Sequence, residues 1–342
     1  MVWPSGFAPD KQEWFGMERG AMRRLLGALV VVAVLAGLAW GAGAFALRQG
    51  AGAAVQMLAD QGRGGAGAVT VAGFPARFSV TLQNPRLHQG LIAWQGDWVR
   101  LSAPAYAPWQ LRLDLSAAQS LRLGFINYLL RGDDMQAALA LRPDPALALQ
   151  TASLVAGAMA AVVDGGGAAF STESLALRLA ATGEGAAGYA VSTALTGFTL
   201  PALLLAPYGL EPRAELLELE ARAQLTAPLD RHASANPPHL LALELASARL
   251  LWGAADLRAE GALRADADGR AEGQITLTSP NWREVLALAL ALRMAQPPYA
   301  AAVAEQLAPL ASADGALTVA LAFREGQAWL GPVLLGPAPY LQ

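Results

Sequence analysis

The chain has no cysteine. Disulfides and thiolate chemistry are therefore closed to it, and any exported part must be held together by packing alone. Lysine is nearly absent: the single one, Lys11, lies in the first twenty residues. That excludes a lysine nucleophile, a Schiff base or a phosphate-loop lysine in the rest of the chain. Aromatic residues make up only 7%, against 54% hydrophobic residues overall, so the core must be built from small and aliphatic side chains. The formal net charge is −3, without the basic excess that nucleic-acid binding requires.

Histidine is scarce too, with His88, His232 and His239 all in turn-like or proline-rich stretches. No G-x-S-x-G elbow accompanies them, so a Ser-His-Asp site has no rigid element to sit on. Asp230, His232 and His239 match no zinc spacing. Asp266-x-Asp268-Gly269 has the start of a calcium loop without its remaining ligands, and reads as a hairpin turn. Asp133-Asp134 and Gly165-Gly166-Gly167 read as turns, the latter lacking the Lys-Ser/Thr of a phosphate cradle. Glu218 and Glu220 share the wet side of one strand with Arg222, a solvated face rather than an acid–base pair. Trp94, Trp98 and Trp109, with Pro104 and Pro108, read as a packed aromatic corner. No catalytic, cofactor or metal residue is expected, and the chain reads as a non-enzyme.

What the chain does have is one long uncharged run, Leu25 to Leu47, with Arg23-Arg24 before it and Arg48 after it. As a helix it is about 34 Å long, enough for a hydrocarbon core of about 30 Å. Arg19, Arg23 and Arg24 favour a cytoplasmic N-terminus and a body on the far side of the membrane. Ala42-Gly43-Ala44 and Ala44-Phe45-Ala46 have the form of signal cleavage sites, but the run exceeds a signal peptide's usual apolar core. The expected organisation is a cytoplasmic tail (1–24), a transmembrane signal anchor (25–47), a linker with a short helix (48–68) and a periplasmic β-rich domain (69–342). The last admits a division into two similar halves, 69–200 and 210–342. The expected location is the inner, cytoplasmic membrane.

The body alternates. Phe78, Val80 and Leu82 face one way, and so in turn do Leu111, Leu113 and Leu115; Leu121, Leu123 and Phe125; Leu175, Leu177 and Leu179. Leu217, Leu219 and Ala221 continue the pattern, followed by Leu241, Leu243 and Leu245, then Ile275 and Leu277, then Leu317, Val319 and Leu321. Strict period-2 alternation predicts half-buried antiparallel strands. Asp268-Gly269 predicts a hairpin between 257–265 and 271–278. Helices are expected over 281–296, started either by Ser279 and Pro280 as cap and first turn or by Asn281 and Glu284 as a capping pair, and over 298–310. Residues 152–163 suit helix and strand equally. Proline density marks 201–212 and 227–238 as loops. About a dozen one-sided strands thus face about three covering helices. Since each exposed leucine forgoes roughly 1.5–3 kcal/mol of burial, the strands must close on one another or curve around something apolar. The fold expected is mainly β: a large, curved antiparallel sheet, or an open barrel or groove, with a few covering helices near the C-terminus. Leu111, Leu113, Leu121, Leu123, Leu217, Leu219, Leu241, Leu243, Ile275 and Leu277 are the candidate lining of an apolar ligand groove.

VTVAGFPARFSVTLQNPRL (69–87), RLLWGAADLRAEGALRADADGRAEGQITLTSPNWREVL (249–286) and ALAFREGQAWLGPVLLGPAPYL (320–341) carry a likeness. The GFPxRF and WLGPxxLGPAP strings within these blocks resemble domain-of-unknown-function family 2125, a set of bacterial envelope proteins. The unit of strand, Trp-Gly, strand, Asp-Gly, strand and helix is also similar to units of AsmA-like envelope proteins. The resemblance implies an envelope protein concerned with lipid homeostasis. Its implied partners are the inner membrane and a phospholipid or other apolar ligand, with no cofactor and no catalytic residue.

Overall fold

The computed structural model describes residues 56–57, 59–60, 62–72, 77–166, 168–183, 187–233, 235–292 and 297–341. The expected tail and transmembrane run lie outside the described residues. Among the described residues no helix is long and apolar enough to cross a membrane. The fold is mainly β: the described residues form twenty-two strand segments in one open antiparallel sheet, with few helices.

The topology is simpler than the segment count suggests. The segments make fifteen passes of a single up-and-down meander: 64–72, 77–89, 92–104, 110–123, 126–141, 149–163, 168–181, 188–199, 213–225, 240–252, 255–265, 271–279, 317–324, 327–330 and 333–337. Each pass pairs with the passes before and after it in sequence. The sheet is continuous across 200–212, since 188–199 pairs with 213–225 along its length. The 152–163 stretch resolves as strand, in two segments, Leu149–Ala156 and Met159–Val163. The Asp268-Gly269 hairpin forms as expected. Gly269 takes φ +78°, and the Asp266 carboxylate accepts the N–H groups of Asp268 (2.9 Å) and Arg270 (2.8 Å).

The first seven passes are each broken once, and the breaks line up. Residues 66–67, 84–85, 97, 116–117, 133–135, 157–158 and 173 lie side by side, ending at Gly197 of the eighth pass. This seam is stitched by buried polar groups, which must be paired to be tolerated. The Ser116 hydroxyl accepts the Asp97 N–H (3.1 Å) and donates to Ala118 O (2.9 Å). Gln119 donates to Ser116 O (3.0 Å) and accepts the indole N–H of Trp94 (2.7 Å). Thr172 donates to the carbonyls of Ser174 and Thr196.

The helix Trp282–Ala291 covers one end of the sheet, with Trp252, Ala255, Leu288 and Ala291 buried together. Pro297–Leu307 packs Val303 and Leu307 against Leu317 and Val319. A short helix, Ala202–Leu205, and a following 3-10 turn occupy part of the stretch expected to be loop. The expected capping pair does not form: the Asn281 amide donates to Ala254 O (2.9 Å) across to the 252–255 hairpin, and leaves the helix start without a side-chain cap.

Candidate functional site: an uncharged lane across the sheet

The register brings the alternating apolar residues into one continuous face. Val71 pairs with Val80, Val80 with Leu101, Leu101 with Leu113, and Leu113 with Ala137. The line passes through Leu154, Leu177, Thr193, Leu219, Ala248 and Ala259 to Leu277 and Val319. A parallel line through Leu243, Leu263, Gly273 and Phe323 flanks it. No residue on these lines carries a charge. The opposite face holds the ionic groups, among them the Arg112–Asp114, Arg222–Glu244 and Arg264–Glu272 pairs.

Two glycines let the backbones come together within this face. Gly261 (φ +152°) opposes Leu245 and Ile275, and a β-carbon there would lie 2.2 Å from Gln274 O. Gly273 (φ +133°) opposes Leu263 in the same way.

The lane is sealed at both strand ends and open between them. At one end the 226–239 loop crosses the face. Leu229 donates its N–H to the Tyr189 hydroxyl (2.8 Å), and its carbonyl accepts the N–H of Leu149 (2.7 Å). Tyr189 is buried there with Leu139, Leu141 and Ala152, and burial pushes its hydroxyl pKa up. At the other end Trp252 meets Phe198 edge-on at 6.2 Å and donates its indole N–H to Glu211 O (2.7 Å). Between the ends the leucines are half-buried, and Leu177 and Leu217 are 36% and 40% exposed.

Seven of the ten residues expected to line a groove stand on the lane: Leu111, Leu113, Leu217, Leu219, Leu243, Ile275 and Leu277. Leu241 does not join them cleanly. The pairing slips between Gln224 and Leu225, leaving Leu241 in a bulge. Leu121 and Leu123 lie beyond the seam, paired with Trp94 and Ile92. Trp94, Trp98 and Trp109 take separate roles: Trp94 at the seam, Trp98 under the Arg100 guanidinium (5.4 Å), and Trp109 against the Leu139 cluster. Two cavities, of about 410 and 610 Å³, open at the seam beside Arg213 and Glu173 and at the Asp266 hairpin. Neither is lined by the mid-lane leucines. Among the described residues no group of three or more His, Asp or Glu is placed to hold a metal.

A family model described as an uncharacterized protein conserved in bacteria (DUF2125) matches residues 40–339. The chain belongs to this family. The DUF2125 match spans the whole meander, so all fifteen passes and the lane are contained in the family's own unit. No curated protein and no solved structure matches the chain. The DUF2125 likeness read from the 69–87 and 320–341 blocks thus holds.

Proposed function

We propose that this DUF2125 member is a non-enzymatic envelope protein that holds phospholipid, or another apolar ligand, on the uncharged lane of its open sheet. One observation carries this: the face is uncharged across the sheet and sealed at both strand ends, yet its central leucines stay partly bare. Contiguous exposed apolar surface of this kind marks a binding site more often than a bare surface. The similarity of the strand–helix units to AsmA-like envelope proteins supports a role in lipid homeostasis. The Leu25–Leu47 run supports anchorage in the inner membrane, with the sheet on the periplasmic side.

The test is direct. The body from residue 48 onward, purified from bacterial cells without detergent and extracted for mass spectrometry, should release acyl lipid in a fixed ratio to protein. A stable, lipid-free body would overturn the proposal and make the face the core of a structural or interaction module.

A further inference from the structure

Phe125 is 99% exposed. It sits at the tip of a two-residue turn, Gly124-Phe125, between the paired residues Leu123 and Ile126. Beside it lies a second turn of the same make, Gly90-Leu91, between Gln89 and Ile92. The two are joined by the Gly124 N–H donating to Leu91 O (2.8 Å) and by the pairing of Ile92 with Leu123. Leu91, Leu123 and Ile126 are 53%, 44% and 46% exposed. The other two-residue turns of the sheet carry Gly253-Ala254, Glu325-Gly326 and Gly331-Pro332 instead. Turns are where polar residues cost nothing. Four large apolar side chains on two adjoining tips therefore need a partner surface.

Where the chain comes from names that partner. His88, two residues before the Gly90-Leu91 turn, donates its N–H to Arg63 O (2.7 Å), and Gly64 pairs with Leu87. The chain thus enters the sheet at the tip end. Residue 47, the end of the apolar run, is fifteen residues upstream of Gly62, a reach of at most about 50 Å. A membrane entered by residues 25–47 therefore lies within reach of the tips. The charges nearby, Arg63, Arg122 and His88 against Asp60 and Asp164, nearly balance.

We infer that the paired Gly-Leu and Gly-Phe tips insert into the interfacial region of the bilayer that holds the anchor, so the sheet stands on that membrane rather than swinging free on its linker. This rests on the anchor part of the proposed function and not on ligand binding. Because the local charges nearly cancel, the contact is apolar and changes little with salt.

The cysteine-free chain allows a clean test. Full-length protein carrying Phe125→Cys, labelled with an environment-sensitive fluorophore, is reconstituted in phosphatidylethanolamine–phosphatidylglycerol vesicles, with Glu325→Cys as the control turn. The label at 125 should shift to the blue and be quenched by lipids carrying nitroxide near the headgroup, equally at low and high salt. The label at 325 should behave as in water. If the protein floats with the vesicles but both labels are aqueous, the inference is wrong. If it fails to float, the anchor itself is wrong. Phe125→Asp with Leu91→Asp should abolish the blue shift of a label at 123 (Leu123→Cys) without moving the thermal midpoint, since both side chains lie outside the packed clusters.

Discussion

At the scale of single residues, the ionic pairs of this chain are exposed and individually weak. Asp256 departs from the rest. It receives two hydrogen bonds from the Arg249 guanidinium (3.1 and 3.0 Å), and Arg258 lies 3.6 Å away. The Arg249 hydrogen bonds, chiefly, hold its carboxyl below the usual 3.8. A depressed carboxylate stabilises the fold at neutral pH, and that contribution is lost as pH falls through and below the ordinary carboxylate range. Asp256→Asn should therefore melt earlier than the parent at pH 7, and the two melting curves should converge in strongly acidic buffer. A constant gap across pH would show that Asp256 contributes through packing alone. Nothing in the sequence singled out this residue: Asp256 and Arg249 are seven apart, and only the Trp252–Ala255 hairpin folds them onto each other.

At the scale of elements, the strands were legible because alternation is a property of the side chains themselves. The long pass 255–265 shows it from end to end, whereas bulges at Leu241 and at 246–247 shift the phase within 240–252. The Asp-Gly turn was legible for the same local reason. The seam was not. Its breaks fall at Asn84-Pro85, Asp97, Ser116-Ala117, Asp133-Asp134 and Gly157, which follow no common sequence pattern and gain meaning only when the register sets them side by side. The 149–163 stretch hid its strands because alanine is compatible with either period, and the Asn281 cap failed because a tertiary carbonyl took the amide. Gln119 is the seam's most connected side chain. Gln119→Ala should lower stability by about 1–3 kcal/mol, because it strands the Trp94 indole N–H and the Ser116 carbonyl. Arg122→Ala, on the exposed side of the same strand, should stay within about 0.5 kcal/mol. Urea unfolding of the two variants decides whether the seam bears stability or only accommodates a break.

At the scale of the whole molecule, the lane is a collective property: no leucine in it is remarkable until the sheet places it next to the others. Its function is best probed where it is least packed. Leu177→Asp with Leu217→Asp puts charge on the half-exposed middle, so most of the copurified acyl lipid should be lost while the protein still folds. Glu220→Leu, on the ionic face, should leave the lipid content unchanged. The ordering of the passes carries one more consequence. Position along the polypeptide and position across the sheet are the same coordinate, so a nascent chain can lay down its pairings in the order they are made, each hairpin finding its template already present. Gain or loss of one hairpin in descent would then widen or narrow the protein by about 10 Å with no rethreading. The family can thus vary its breadth by simple duplication or deletion.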